Sequence, residues 1–274
     1  MQDELIELRG LRLHYRDWPG PTPDAPVLVL LHGYTGHARS WDYCAAELSD
    51  RYRVLALDQR GHGESAWAAS DRYGTEEMVA DLRAFVGALA LRSYTLLGLS
   101  MGGVVAFHYA GAAPAELARL IIVDIAPELI AAGSGRIVDS AQAQDVFASK
   151  DDAVAQQRAA NTRAPDAHLR YRVENNLMQL EDGRWTWRYD RALRDPRNLR
   201  MRDADAGWRA VAGIRVPTLL IRGSASDLLA PEVAARMVQC IPGAQYFEVH
   251  GAGHSVPLDA PEAFVSAVRS FLPA

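Results

Sequence analysis

Tyr94-Thr95-Leu96-Leu97-Gly98-Leu99-Ser100-Met101-Gly102-Gly103 is the stretch that decides how this chain is read. An apolar run, Tyr94 to Leu97, leads into a Gly-x-Ser-x-Gly segment, and an apolar, helix-like stretch from Gly103 to Ala113 follows. Strand, tight turn and helix in that order are the context in which such a serine becomes a nucleophile elbow. The turn brings the residues two before and two after the serine so close that neither tolerates a Cβ, hence glycine at 98 and 102. The serine is then presented at the head of a helix, where main-chain N–H groups favour negative charge. Chance supplies the five-residue pattern in a chain of this length about one time in ten, so the flanking segments carry the rest of the argument.

Working outward, Leu5–Leu8 and Leu11–Tyr15 alternate apolar and polar residues around Arg9-Gly10 and predict an antiparallel hairpin at a sheet edge. Val27–Leu31, Val54–Leu57, Leu120–Val123, Val216–Ile221 and Tyr246–Val249 read as strands, the first as one buried on both faces. Helices are expected around Ser40–Leu48, from Thr75 to Leu89, from Pro231, and over Pro261–Phe271. This β-α-β-α rhythm implies an α/β fold with a mostly parallel, doubly wound sheet. The rhythm breaks between Glu128 and Gly213, a stretch rich in alanine, arginine and aromatics. Helical patterning there covers Ala141–Arg158 and Ala167–Asn176. Asp182-Gly183 marks a turn between Leu177–Leu180 and Trp185–Tyr189, predicting a β-hairpin or extended ribbon. The expected organisation is a core of residues 1–127 and 214–274 with residues 128–213 inserted as a cap.

The 274 residues suit one large domain carrying an insertion, and the formal charge of −5 supplies no global basic field for nucleic acid or anionic membrane. Lys150 is the sole lysine among 29 basic residues, which we read as coding bias. Cys44 and Cys240 fall in no metal-binding or redox spacing, so reduced thiols are expected. The acidic amino-terminal residues lack an apolar signal region, and no apolar run reaches membrane-spanning length. The expectation is a cytoplasmic protein, monomer or homodimer, with no membrane or nucleic-acid partner and no metal or organic cofactor.

A serine hydroxyl needs a base to take its proton, and a histidine base needs a carboxylate to orient it. His254, in Gly251-Ala252-Gly253-His254 after the last strand, is placed to reach the elbow. For the carboxylate, Asp227 follows the Val216–Ile221 strand, and the order Ser100, Asp227, His254 is that of this type of hydrolase. Asp124, after Leu120–Val123, is the second candidate acid. The N–H of Met101 is one expected oxyanion donor. The N–H of Tyr34, in His32-Gly33-Tyr34-Thr35-Gly36 after Val27–Leu31, is the other. His32 braces that loop. The Tyr34 ring either lines an acyl pocket or covers it. Trp185 and Trp187 share one face of an extended segment, and either line the pocket or pack the cap onto the core.

In five pieces the chain resembles the α/β-hydrolase family along nearly its whole length: His32-Gly33, Asp58-Gln59-Arg60-Gly61-His62-Gly63-Glu64-Ser65, Gly98–Gly103, Asp227 and Gly253-His254. In that family the Asp58–Ser65 segment is structural, so Arg60 and His62 are expected to tie loops together near the site. Dehalogenases and epoxide hydrolases carry aspartate where Ser100 stands. The resemblance therefore implies a serine hydrolase of the carboxylesterase or lactonase type, acting on a small-molecule ester or lactone. A C–C bond hydrolase, a perhydrolase or an acyltransferase on the same triad is the alternative enzyme, and a receptor-like member with little turnover is the alternative of another class.

Overall fold

The computed structural model describes residues 1–130, 135, 143–195, 198 and 203–273. Its centre is an eight-stranded sheet in the order β1-β2-β4-β3-β5-β6-β10-β11. β1 (Gln2–Leu8) and β2 (Leu11–Trp18) form the antiparallel hairpin at one edge. β3 (Val27–Leu31), β4 (Arg53–Leu57), β5 (Tyr94–Leu99), β6 (Leu117–Val123), β10 (Thr218–Gly223) and β11 (Gln245–Val249) run parallel to one another.

Alternate residues of the inner strands feed two separate cores, as a period of two requires. Val29, Leu31, Leu55, Leu57, Leu96, Leu120, Ile122 and Leu220 face one core. It is completed by α2 (Thr75–Ala88), α3 (Met101–Gly111), α6 (Ala204–Gly213) and α7 (Pro231–Cys240). Leu28, Leu30, Val54, Ala56, Leu97, Ile121, Val123 and Ile221 face the other. There α1 (Asp42–Leu48) and α8 (Pro261–Phe271) supply Cys44, Leu48, Phe264 and Val268. Strands buried on both faces read as continuous apolar runs for this reason. Both cysteines are free thiols, Cys44 buried and Cys240 exposed. Among the described residues no helix is long and apolar enough to cross a membrane.

Between β6 and β10 the chain adds a small three-stranded sheet, β7 (Val146–Phe147), β9 (Trp185–Trp187) and β8 (Leu177–Gln179) in that order. The predicted hairpin is β8 and β9, antiparallel, with Gly183 at φ 85° in its turn. α4 (Lys150–Ala160) and α5 (Asp166–Asn175) precede it. The helix expected over Ala141–Arg158 starts instead at Lys150. Ser149 caps it reciprocally with Asp152, and Val146–Phe147 are drawn into the sheet by pairing with β9; residues 141 and 142 lie outside the described residues. α6 packs on the elbow helix α3. A Cβ on Gly111 would lie 2.4 Å from the Ala210 carbonyl, and one on Gly213 would lie 2.5 Å from the Gly111 carbonyl. The last helix of the insertion thus belongs to the layer that flanks the sheet.

Asp58, directly after β4, holds the loops beneath the site together. Its carboxylate accepts Nδ1 of His14 at 2.7 Å and the main-chain N–H groups of Ala38 and Glu64. Burial alone would raise its pKa, but the His14 hydrogen bond and the surrounding histidines bring it down to about 2. A carboxylate depressed in the folded state contributes stability above its unfolded pKa and loses it as pH falls through the folded value. Asp58 is therefore expected to forfeit about 2 kcal/mol between pH 4 and pH 2. Urea midpoints across that interval check this, and a flat profile overturns it.

Candidate active site

Ser100 joins β5 to α3 at φ 52° and ψ −116°, a conformation that costs a non-glycine residue about 1–3 kcal/mol. Its surroundings enforce it. A Cβ on Gly98 would lie 2.2 Å from the Gly102 carbonyl, and one on Gly102 would lie 2.4 Å from the Leu31 carbonyl. The Ser100 N–H donates to the Val123 carbonyl at 3.1 Å, tying the elbow to β6. The side chain makes no capping hydrogen bond to α3, so the hydroxyl is not committed to structure.

Asp124 follows β6 directly, is fully buried, and also sits at positive φ, 51°. Its Oδ1 accepts the Gly223 N–H at 2.9 Å. Its Oδ2 accepts the Ser226 hydroxyl and Nδ1 of His254, the latter at 2.8 Å. A carboxylate opposite Nδ1 fixes the neutral tautomer: Nδ1 carries the proton and donates it, leaving the lone pair on Nε2. The His254 side chain is about 20% exposed, so part of the ring is open to a reactant.

This pairing corrects the assignment of Asp227. The histidine loop crosses the end of β10 so tightly that a Cβ on Gly223 would lie 2.2 Å from the Gly253 carbonyl. β10 is flanked by β6, and the crossing delivers His254 to the β6 end. From the loop after β10 it is the Ser226 hydroxyl that donates to Asp124; Asp227, one residue on, is half-buried. Asp124, the second candidate on sequence, takes the position opposite the histidine. Reasoning from sequence missed Ser226 and Gly223 altogether. Their one visible signal was a Gly-Ser-Ala-Ser loop directly after an apolar strand.

The other side of Ser100 is the loop after β3. A Cβ on Gly33 would stand 3.3 Å from the Ser100 Cβ, so this loop packs directly on the Ser100 turn. Nε2 of His32 accepts the Gln59 N–H at 3.1 Å, which leaves Nδ1 protonated and donating to the Gly33 carbonyl at 2.8 Å. Burial, with His62 adding to it, pushes the His32 pKa down to about 3, so the ring is a neutral brace. Among the described residues, the N–H groups of Tyr34 and Met101, on the two sides of Ser100, have no acceptor. Arg60 joins Asp81 at 2.6 and 2.8 Å, and Nδ1 of His62 donates to the Arg60 carbonyl at 3.0 Å. Arg60 thus ties its loop to α2 and, at 2.6 Å, to the Arg72 carbonyl, whereas this His62 bond lies within its own loop.

The insertion rests on the β3 loop. Asn176 donates to the Thr35 carbonyl at 2.8 Å, and the Tyr34 hydroxyl donates to the Leu193 carbonyl at 3.3 Å. Tyr189 lies against Tyr34 and His62 with ring centroids 6.5 and 6.4 Å apart. Trp187 is buried edge-on against Phe147 at 5.3 Å, and Trp185 lies under the Lys150 ammonium at 4.5 Å. Both of these tryptophan contacts lie within the insertion.

A serine in a strained strand-to-helix turn, a histidine on a buried carboxylate and two unpaired N–H groups on a mixed eight-stranded sheet are the parts of an α/β hydrolase. Residues 26–261 match the family model for the α/β hydrolase fold, and the chain belongs to that family. It is 30% identical over 266 residues to an esterase of Mycobacterium tuberculosis, spanning 93% of this chain and 84% of that one. It is also 30% identical to N-formylmaleamate deformylase of Pseudomonas putida, spanning 97% and 95% of the two chains. The solved structure of E-2-(acetamidomethylene)succinate hydrolase superposes with a TM-score of 0.90 over 100% of this chain and 99% of that one, at 23% identity.

Proposed function

We propose that this hydrolase cleaves carboxylic esters or lactones of small to medium size through an acyl-enzyme. The observation that carries the reading is the hydrogen-bonded pair of His254 and fully buried Asp124, formed at the strand ends beside Ser100. Nε2 of His254 takes the Ser100 proton as Oγ attacks the carbonyl carbon. The N–H groups of Tyr34 and Met101 receive the oxyanion, helped by the amino terminus of α3. The imidazolium, stabilised by Asp124, protonates the departing alcohol. Water, deprotonated by the same nitrogen, then releases the acid and restores Ser100. The insertion, covering the β3 loop, acts as the cap that selects the substrate. Relatives named as an esterase and as a 3-hydroxybutyrate-oligomer hydrolase support ester cleavage.

The test is a screen of the purified protein against 4-nitrophenyl esters of graded acyl length and a set of small lactones, with fluorophosphonate labelling alongside. Expected are turnover of at least one series, a burst of nitrophenol, and covalent label on Ser100. Label without turnover favours the receptor-like reading. Neither label nor turnover overturns the proposal.

A further inference from the structure

Among the described residues, most arginines of the insertion are neutralised within it. Arg158 meets Asp166, Arg170 meets Asp151 and Glu174, Arg184 meets Asp182, and Arg191 and Arg194 share Asp145. Two stand apart: among the described residues, the guanidinium groups of Arg163 and Arg172 make no hydrogen bond and no ion pair. Both lie at the loops that flank Ser100. Arg163, an exposed residue, runs along Gly253, whose added Cβ would lie 3.5 Å from its Cδ and 3.6 Å from one terminal nitrogen; His254 is the next residue.

Arg172 sits on α5, whose Leu169 and Val173 are buried in the core. Asn176, four residues on and on the same side as Arg172, holds the Thr35 carbonyl. The Arg172 carbonyl itself accepts Nε2 of His37 at 3.0 Å. The residue is thus pinned over the chain that leaves Gly33. Its charge is felt by Asp259, but that carboxylate is already engaged by the Gly253 N–H at 2.8 Å and the Asn161 amide at 2.6 Å. Burial lowers the pKa of Arg172, with Asp259 only partly opposing this. Arg172 is half-buried, and a guanidinium in that setting that meets neither a carboxylate nor a carbonyl is open to an anionic ligand. Guanidinium groups complete themselves best with a carboxylate, bound through two parallel hydrogen bonds.

We propose that Arg172 and Arg163 form a carboxylate subsite on the insertion, so that the preferred substrate carries an acidic group away from its reacting carbonyl. This rests on the hydrolase reading above and names the substrate class for it. Neutral acyl esters would then be poor substrates that use only the catalytic residues.

Mono-4-nitrophenyl adipate and its methyl ester differ in one charge and form a matched pair. Wild type is expected to favour the charged ester in kcat/KM by about tenfold or more. Arg172→Gln should raise KM for the charged ester by about tenfold and leave the neutral ester within about twofold. Arg172→Lys should restore part of the preference, since it keeps the charge and loses the planar fork. Calorimetric titration of adipate into Ser100→Ala protein reads the subsite without turnover, and Arg172→Gln added to it should weaken binding about tenfold. Equal turnover of the two esters, or a loss in Arg172→Gln that is the same for both, overturns the subsite and leaves ester hydrolysis standing. Adipate binding that depends on Arg172, without hydrolysis of either ester, supports the subsite and overturns the esterase reading.

Discussion

Ser100→Ala is expected to lower kcat for aryl-ester hydrolysis by about a thousandfold or more. The residual rate would come from the oxyanion donors and substrate binding alone. The hydroxyl caps no helix, so its removal leaves the turn's own hydrogen bonds in place: Ser100 N–H to Val123, and Val104 N–H to the Ser100 carbonyl at 2.9 Å. Alanine faces the same positive φ as serine, so thermal stability should stay close to wild type. Fluorophosphonate labelling should vanish with the activity. A variant that folds and keeps most of its kcat removes Ser100 from the chemistry.

Asp124→Asn should be nearly as severe, a fall in kcat of about a thousandfold or more with a small change in KM. The carboxylate accepts from three donors at once: Gly223, Ser226 and His254. An amide has one accepting oxygen. With that oxygen on the Gly223 N–H, its NH₂ group confronts Nδ1 of His254. The imidazole then turns to the tautomer whose Nε2 carries the proton, and the base is lost. Asp227→Asn should stay within about fivefold of wild type. Stopped assays on the two purified variants, with a thermal melt to establish folding, give the order directly. The reverse order returns the acid to Asp227.

The ambiguity between the two aspartates is physical. Both follow a parallel strand, and both lie between Ser100 and His254 in sequence. Chain order does not encode which strand end the histidine loop crosses toward. That is set by Gly223, where absence of a side chain lets the Gly253 carbonyl settle on β10 and carry His254 to the β6 end. Ser100 and His254 were legible because their constraints are local: two glycines that admit no Cβ, and a glycine-rich loop after a strand. The core strands were legible because burial on two faces leaves only apolar residues at Val27–Leu31 or Leu120–Val123. The insertion was less so. β7 is two residues long and exists through its pairing with β9, which carries the Phe147–Trp187 contact. No periodicity marks so short a strand, whereas the turn at Asp182-Gly183 announced its partners.

The close approach of α3 and α6 has a consequence for how such chains diversify. With Gly111 and Gly213 allowing two backbones to touch, the exit of the insertion is riveted to the helix that Ser100 heads, and its entrance begins just beyond Asp124. An exchange of the segment between Glu128 and Asp203 would keep both anchor points and would have to restore the contacts that Asn176 and Leu193 make with the β3 loop. A transplant that keeps these two boundaries should inherit new substrates on unchanged catalytic residues. One that cuts inside α6 would disturb the elbow itself.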